Sequence, residues 1–582
     1  MAGVKRFLFD KLVYLSTHQF INMKKFIITP FSVSSIRYPV LFLLFSFFIL
    51  HPSRLSAAEG DVIDIAYSGN SATVTIPATA AVTSSVDGAY VTLTSTTTTE
   101  EYIYRLSGTT SAGGLIINGA FKLTLQLAGV DITSQRGAAI DVECGKRIAV
   151  QLVKGTTNTL ADYAGGSQKA ALYFSGHPEF EGGGVLNITG NVKHAISAKE
   201  YLQIKKSTGV INILGAVSDG VHCGKGKVNN EHRYFQMNGG ILNINNVKGD
   251  GIDSDDYGVM YINGGVLNVN VSENDAVGLK CDSIIYMTDG VVNVNVTGDA
   301  SEGIRACYDA KFQGGSVHVN VAGNGSKAVK GKNRSNGLVK DGGQLHFEGT
   351  DFVLYVHGND ILAADGSVDT NCRAISSDAS ISYTTGQIDI YAYGSIEDAC
   401  NEDVQTHTAQ ELHSIFNIHR APWNFYYADF QHDMTAYVAL QLNGKSVNVS
   451  DYAIGAFIDD TCVGVAVGDY LRIYSATTTA SPITFRVYDY AMGKEYIVTA
   501  DPSITFASDS QAGTAQSPIV LTIILLGDAN GDDKVSIADV TAIINHINNI
   551  HSDTFNGKAA DVNRDGNISI SDVTGVINII NM

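Results

Sequence analysis

Two acidic segments near the C-terminus have the residue types and the spacing of calcium-binding loops. They read DANGDDKVSIAD and DVNRDGNISISD, and their first residues, Asp528 and Asp561, are 33 positions apart. Calcium prefers oxygen ligands, and loops of this kind supply them from positions 1, 3, 5, 7 and 12. The predicted ligands are the side chains of Asp528, Asn530, Asp532, Asp539, Asp561, Asn563, Asp565 and Asp572, together with the main-chain carbonyls of Lys534 and Asn567.

A third group of acids lies in the middle of the chain, inside a repeat. Six glycines each open a similar hexapeptide, and all but one of the gaps between them are 25 residues: Gly184, Gly209, Gly240, Gly265, Gly290 and Gly315. Ten residues after three of these glycines stand Asp219, Asp250 and Asp275. If the repeats stack about 4.8 Å apart, neighbouring carboxylates in this column repel by roughly 3–4 kcal/mol, so a cation should lie between them.

Calcium is the predicted cation of this acidic column. The turn after Asp250 adds further acids in the stretch GDGIDSDDYG, and the next repeat adds one more. The predicted ligands are Asp219, Asp250, Asp253, Asp255, Asp275 and Asp282, with Asp256 beside them. Two simpler explanations stay open, because Lys280 could pair with Asp255 and because Asp-Gly pairs could serve only as turns.

The repeat also predicts the elements that hold these side chains. The second and fourth residues after each glycine are apolar, as in Leu186 and Ile188, whereas the third is Asn or His, as in Asn187. A two-residue period with β-branched residues on one side indicates a strand, and its fixed recurrence indicates stacked repeats. We therefore expect a right-handed parallel β-helix at residues 59–399, with outward asparagine ladders and with Tyr261 over Tyr286 as a candidate carbohydrate-binding surface.

The ends of the chain predict secretion and two further modules. Residues 1–58 have basic residues, an apolar run and small residues typical of a signal peptide, and Met23 followed by two lysines suggests that residues 1–22 are a misassigned start. No other segment is apolar and long enough to span a membrane. A polar linker is expected at 400–420, and alternating apolar runs between turn residues predict a β-sandwich at 421–525. The calcium loops lie in a last module, 526–582.

Composition narrows the compartment and the partners. The net charge of −19 argues against a nucleic-acid partner. Seven cysteines in 582 residues are too few for a disulfide framework. Cys281 and Cys307 occupy similar places in adjacent repeats, and we expect buried thiols there, with a bridge between the repeats as the alternative.

The last module resembles a type I dockerin, because each loop ends in aspartate at position 12 and a helical segment follows it. The resemblance implies docking to a cohesin domain through helix residues near loop positions 10 and 11, which are Ile537, Ala538, Ile570 and Ser571. Position 6 of the first loop is Asp533 rather than glycine, so a left-handed backbone at an aspartate is expected there. The predicted fold class is mainly β: a right-handed parallel β-helix, then a β-sandwich, then a small α-helical dockerin with paired EF-hand-like calcium loops.

The repeat region is similar to a family of secreted, calcium-binding, carbohydrate-binding β-helices with a polysaccharide-lyase-like fold. The stretches that carry the similarity are GVDITSQRGAAIDV, GGGVLNITGNVKHAISAKEYLQI and VSDGVHCGKG. The resemblance implies binding of a plant cell-wall polysaccharide such as cellulose or pectin. Within 421–525, HDMTAYVAL followed by IGAFIDDTCVG resembles a module common in secreted Bacteroidetes proteins.

Three functions are consistent with these features. The leading one is calcium-dependent polysaccharide binding by a secreted protein that docks to a cohesin-bearing partner and takes part in polysaccharide catabolism. A pectate lyase would need Ca²⁺ and a basic side chain to abstract a proton, and Lys280 or Arg305 could serve. A non-catalytic surface adhesin would use the asparagine ladders only as structure.

Overall fold

The computed structural model describes residues 62–224, 232–255, 257–333, 342–392, 415–423, 430–442, 444–466, 468–490, 492–563 and 565–581, all within one compact unit, Ala57–Met582. The predicted signal peptide, Asp256, Cys400 and most of the predicted linker lie outside these residues. The six described cysteines are free and buried, which includes Cys281 and Cys307. Within the described ranges, no helix has the length and apolar character needed to cross a membrane.

Strands dominate the chain up to residue 420. They are β1 (Val62–Ser68), β2 (Ser71–Thr75), β3 (Val82–Asp87), β4 (Ala89–Ser95), β5 (Ile103–Thr110), β6 (Gly113–Asn118), β7 (Leu123–Thr133), β8 (Ile140–Glu143), β9 (Arg147–Leu152), β10 (Thr157–Ala161), β11 (Ala170–Phe174), β12 (His177–Glu181), β13 (Val185–Gly190), β14 (His194–Ala198), β15 (Leu202–Ile204), β16 (Val210–Ala216), β17 (Val221–Cys223), β18 (Tyr234–Val247), β19 (Ile252–Ser254), β20 (Val259–Val271), β21 (Val277–Cys281), β22 (Ile284–Val296), β23 (Glu302–Ala306), β24 (Asp309–Phe312), β25 (Ser316–Val321), β26 (Lys327–Gly331), β27 (Gln344–Glu348), β28 (Asp351–Val356), β29 (Ile361–Leu362), β30 (Val368–Thr370), β31 (Arg373–Ser377), β32 (Ile381–Thr385), β33 (Ile388–Ala392) and β34 (Asn417–Arg420).

All but two of these strands form two large sheets, which we call the 20-stranded sheet and the 12-stranded sheet, and β29 and β30 form a separate antiparallel pair. Most of their pairings are parallel and join strands one repeat apart. In the 20-stranded sheet Leu186 aligns with Ile211, which aligns with Leu242, and all three side chains are buried. The inward and outward positions expected from the two-residue period are therefore the observed ones.

The predicted right-handed parallel β-helix is wrong as a fold class. The long strand β7 pairs with both β9 and β10, and the long strand β18 pairs with both β15 and β16. Through β12 and β13 the pairings close a ring of eight parallel strands, so this part is a closed eight-stranded parallel β-barrel. Alternation along one strand specifies which side chains face inward, but it does not specify which strands pair laterally.

The repeat glycines stand where neighbouring backbones approach closely. Gly315 has a φ of 80°, and a Cβ built there would lie 2.4 Å from the carbonyl oxygen of Gly290. An L-residue would therefore be both strained and in collision at this position. The close approach explains why glycine opens each repeat.

The predicted β-sandwich is also corrected, because nine strands after residue 430 belong to one sheet with its own apolar core. They are β35 (His432–Leu442), β36 (Lys445–Ser446), β37 (Tyr452–Ile458), β38 (Thr461–Ala466), β39 (Tyr470–Ser475), β40 (Thr484–Asp489), β41 (Lys494–Asp501), β42 (Gln511–Ala512) and β43 (Ile519–Ile523). We call this sheet the second module.

Three helices follow: α1 (Ile537–Ile547), α2 (Gly557–Ala560) and α3 (Ile570–Ile580). Ser536 and Ser569 cap α1 and α3, each in a capping box with the aspartate at the third helical position. No EF-hand helix–loop–helix is resolved, because each acidic loop is followed by an 11-residue helix but, in the described residues, only the four-residue α2 lies directly before the second loop and a strand precedes the first.

Candidate functional site

The acidic column lies along the start of strands β14, β17, β19 and β21 in the 12-stranded sheet. Parallel pairing brings His222 beside Asp253, and Asp253 beside Lys280. Successive repeats thus place an imidazole, a carboxylate and an ammonium group in one row across the sheet. Together with His194, Asp219 and Asp250 these side chains form what we call the histidine–acid cluster, which lines an open cavity of about 660 Å³.

Cations supplied by the protein itself lie between the carboxylates of this cluster. The Nδ1 atoms of His194 and His222 lie 3.0 and 3.3 Å from Oδ2 of Asp219. Nζ of Lys280 lies 3.0 Å from Oδ2 of Asp250 and 3.1 Å from Oδ2 of Asp253. The two imidazole rings stack 4.4 Å apart, so the cluster is a compact network of acidic and basic side chains.

Burial and these partners set the protonation states. Burial alone would raise the pKa of Asp219, but the imidazoles of His194 and His222 hold it well below its usual range. Burial alone would lower the pKa of His222, but the carboxylates of Asp219 and Asp253 raise it to about 9. Burial lowers the pKa of His194. At neutral pH His222 is therefore the imidazolium that bridges two carboxylates.

Not every predicted calcium ligand joins this cluster. Ile252 pairs with Leu279, a step of 27 residues, so Asp250 aligns with Val277 and the exposed Asp275 falls outside the row. Asp255 lies at its edge, with Oδ2 3.9 Å from Nε2 of His222. Asp282 is buried 3.9 Å from the thiol of Cys307. Lys280, which could have paired with Asp255, instead pairs with Asp250 and Asp253.

The donor set of the cluster does not fit Ca²⁺ well. Two groups of side chains bring ligand atoms within 4.8 Å of one another: His194, Asp219 and His222, and His222, Asp253 and Asp255. Both contain imidazole nitrogen, whereas Ca²⁺ takes oxygen ligands. We therefore derive no calcium chemistry from this cluster.

The two candidate lyase bases are held as cations. Burial would lower the pKa of Lys280, but Asp250 and Asp253 raise it above its usual value. Arg305 stands beside Lys280 in the next strand and pairs with Glu302 at 2.8 Å. Because a general base must be unprotonated to accept a proton, this environment opposes that role.

The tyrosines predicted to bind carbohydrate belong to a longer aromatic strip on the 20-stranded sheet. Tyr261 stacks on Tyr286 with ring centroids 5.5 Å apart and contacts Tyr234 edge-on at 5.8 Å. Tyr234 stacks on Tyr201 at 4.5 Å, and Tyr201 stacks on His177 at 4.5 Å. The aromatic strip therefore crosses five successive strands of the sheet.

The first C-terminal loop fits a calcium ion. Carboxylate oxygens of Asp528, Asp532 and Asp539 lie within 4.8 Å of one another, and Asp528 and Asp539 are fully buried. Oδ1 of Asp528 accepts from the backbone N–H of Gly531 at 2.8 Å, which draws the loop around the carboxylate. Converging buried carboxylates without a cation would repel one another. This donor set is all oxygen, as Ca²⁺ requires.

The second loop repeats these contacts. Oδ2 of Asp561 accepts from the N–H of Gly566 at 2.9 Å, as Oδ2 of Asp528 accepts from Asp533 at 3.1 Å. The backbone of Asp533 has a φ of 67°, the expected left-handed conformation, and Gly566 has a φ of 82°. The predicted ligands Asn530, Lys534, Asn563, Asp565, Asn567 and Asp572 lie in these same two loops.

Helices α1 and α3 expose matching isoleucines. Ile537 and Ile570 are each 69 % exposed, the most exposed isoleucines among the described residues. Further along each helix the exposed isoleucines recur at equivalent positions: Ile544 and Ile547 on α1, and Ile577 and Ile580 on α3. Two equivalent apolar faces therefore point to solvent, and Ala538 and Ser571 stand beside their leading residues.

Several of these residues were missed from the sequence. His222 is one register step from Asp253, and Tyr201 and Tyr234 align with one another through strands β15 and β18. An alignment of each repeat on its strand register, rather than on its glycine, would have found them. The exposed isoleucines of α1 and α3 could have been found by placing each segment on a helix of 3.6 residues per turn, which brings them to one face.

Comparisons with known proteins place two modules on the chain. Residues 87–371 match the model of the carbohydrate-binding domain-containing protein family, and residues 526–581 match the model of the dockerin type I domain. The chain therefore has a carbohydrate-binding domain and a C-terminal type I dockerin. A comparison with curated proteins finds no significant match.

Two solved structures are similar over part of the chain. The polysaccharide lyase-like protein from C. thermocellum is 19 % identical, with a TM-score of 0.33, over 46 % of this chain and 95 % of its own. A type II cohesin-X-dockerin complex from Acetivibrio cellulolyticus is 17 % identical, with a TM-score of 0.13, over 25 % of this chain and 94 % of its own. At these TM-scores neither structure adds to the argument.

Proposed function

We propose that this protein is an extracellular, non-catalytic polysaccharide-binding protein that a calcium-loaded dockerin attaches to a cohesin-bearing partner. The observation that carries the binding role is the aromatic strip, which lies inside the region that matches the carbohydrate-binding domain. Because the rings of Tyr261 and Tyr286 stack on each other, they present their edges and hydroxyl groups outward, and these can contact a sugar ring and pair with its hydroxyls. Tyr261 and Tyr286 are the residues we assign to this contact.

Retention on insoluble cellulose and on pectin tests the binding role. We expect the full chain to be retained, and we expect Tyr261→Ala with Tyr286→Ala to weaken retention about thirtyfold, since each ring contributes roughly 1 kcal/mol. Tyr163→Ala is the matched control, because Tyr163 is an exposed tyrosine outside the aromatic strip. Failure of the wild-type chain to bind any glycan would favour the adhesin instead.

The same samples test for lyase activity. We expect no ultraviolet-absorbing unsaturated uronate from polygalacturonate with added Ca²⁺, because Lys280 is held protonated between Asp250 and Asp253. Product formation that Lys280→Ala abolishes would overturn the non-catalytic assignment.

Capture by a cohesin domain tests the docking role. Since α1 and α3 expose equivalent faces, we expect Ile537→Asp or Ile570→Asp alone to leave capture nearly intact and the double variant to lose it. Asp528→Ala with Asp561→Ala should also abolish capture, because the loops then lack a calcium ligand each. Capture that survives both double variants would place the cohesin contact elsewhere.

A further inference from the structure

A second cleft lies between the 20-stranded sheet and the second module, away from the aromatic strip. It encloses about 430 Å³. The sheet forms one wall with Tyr355 and the outward amides of Asn270, Asn293 and Asn295, and the second module forms the other with Tyr437 and Tyr470. We call it the amide cleft.

The two walls of the amide cleft are held together by packing on either side of it. Tyr391 of β33 shares one apolar cluster with Ala453 and Phe457 of β37. Arg472 of β39 lies 3.9 Å from Asp299, and Tyr470 contacts the ring of His357 of the sheet. The cleft is therefore bounded by an apolar cluster, an ion pair and a ring contact that join the sheet to the second module.

The amide wall is an ordered array of hydrogen-bonding groups. Nδ2 of Asn268 donates to Asn243 at 2.7 Å, and Nδ2 of Asn293 donates to Asn268 at 2.8 Å. A parallel column has Asn320 donating to Asn295 at 2.9 Å. Each amide carries two N–H donors and an oxygen with two lone pairs. Asn268 donates one bond and accepts another, so it keeps one donor and one lone pair for a ligand, and Asn293, which donates to Asn268, keeps its second donor and its oxygen.

The charge of the amide cleft selects among glycans. Of the residues that line it, Asp469 is the one carboxylate, and neither lysine nor arginine is among them. A polyuronate would bring carboxylates toward Asp469, and Arg472 at the border of the cleft is already paired with Asp433 and Asp299. A neutral glycan instead offers hydroxyls that pair with the amides and ring faces that pack on tyrosine.

We infer that the amide cleft binds a segment of a neutral, hydroxyl-rich polysaccharide chain. This inference rests on the proposed carbohydrate-binding function and names a second contact surface and a glycan class for it. Tyr437 and Tyr470 form the aromatic wall, with centroids 5.4 Å apart. The amides of Asn293 and Asn295 orient the sugar hydroxyls opposite them.

Affinity electrophoresis of the full chain in gels with soluble hydroxyethylcellulose or polygalacturonate tests this inference. We expect retardation by the neutral polymer, and we expect Tyr437→Ala and Asn293→Ala each to weaken it about tenfold. Asn212→Ala is the matched control, because Asn212 belongs to the same ladder outside the amide cleft. Thermal unfolding of each variant separates lost contacts from lost folding.

Asp469→Lys supplies an independent test that depends on charge rather than on the ladder. It should increase retardation by polygalacturonate, because a cation then faces the uronate. If the wild-type chain binds the neutral polymer and Tyr437→Ala, Asn293→Ala and Asn212→Ala all bind it equally, the cleft inference is overturned while the proposed function stands. Binding of polygalacturonate that requires Asn293 would overturn the neutral class. Absence of binding to any glycan would overturn the proposed function itself.

Discussion

The side chain of His222 joins two carboxylates from neighbouring repeats. It lies 3.3 Å from Asp219 and 3.5 Å from Asp253, and it is largely buried. Removing one partner from a buried charge network leaves the others uncompensated, which costs more than the network contributes as a whole. The cluster is therefore sensitive to the protonation state of a single imidazole.

We expect the free energy of unfolding to fall as pH rises from about 6.5 to about 9. The pKa of His222 is raised from 6.5 to about 9 in the folded protein. A group whose folded pKa exceeds its unfolded pKa stabilises fully below the unfolded value and stops doing so above the folded value. The loss attributable to His222 is about 3 kcal/mol, and urea titrations across this range measure it.

His222→Gln is the control for that assignment. The variant should have a lower free energy of unfolding than the wild type at pH 6. Its free energy of unfolding should also change less between pH 6.5 and 9. An unchanged slope would assign the pH dependence to other groups. The lowered pKa of His194 acts in the opposite direction and only as the pH falls below its usual value, so it does not mimic this effect.

At the scale of elements, the parallel ladders depend on backbone approach at the repeat glycines. Strands of adjacent repeats pair over several consecutive residues, as β22 and β25 do. A displacement of the backbone at one glycine would therefore shift all the hydrogen bonds between the two strands. Side-chain ladders of asparagine follow the same register. The repeat is thus specified by glycine at its start and by alternating burial along its strand.

We expect Gly315→Ala to lower the free energy of unfolding by about 1–3 kcal/mol, because the methyl group must displace the Gly290 carbonyl at a left-handed φ. Thermal or urea unfolding measures the change. Gly366→Ala is the matched control for φ, since Gly366 has a φ of 83° with no atom within 4 Å of its Cβ position. Equal effects of the two substitutions would show that conformational strain alone, and not close packing, accounts for the loss.

For the whole molecule, the modules are joined to different extents. The second module shares an apolar cluster with the 20-stranded sheet through Tyr391. The dockerin region contacts the second module through the exposed ion pair of Lys445 and Asp533, at 3.0 Å. An exposed ion pair contributes about 1 kcal/mol or less. The dockerin is therefore expected to unfold independently of the rest.

Calorimetry of the full chain with and without EGTA checks this division. We expect two unfolding transitions. Chelation should lower the midpoint temperature of the transition that belongs to residues 526–581 and leave the other unchanged, because a ligand stabilises the state that binds it. Asp528→Ala with Asp561→Ala should remove the response to EGTA. A shift of the main transition on chelation would instead show calcium bound within the ladders.

Much of the local structure could be predicted from the sequence. Period-two alternation identified the buried face at Leu186, Ile211 and Leu242, and loop spacing identified the carboxylates that converge at Asp528 and Asp539. Both are short-range properties, because a strand alternates its own side chains and a loop folds around its own aspartates. The C-terminal loops needed no distant residue to be recognised.

Lateral pairing and the partners of the acidic column were decided only by the tertiary structure. The 27-residue step that aligns Asp250 with Val277 left Asp275 outside the row, and the fold brought His222 and Lys280 beside the carboxylates of Asp219 and Asp250. Closure of the barrel and the meeting of Asn293 with Tyr437 likewise join residues far apart in the chain. Sequence alone determined which side chains face inward, but strand register and module packing decided which outward side chains meet.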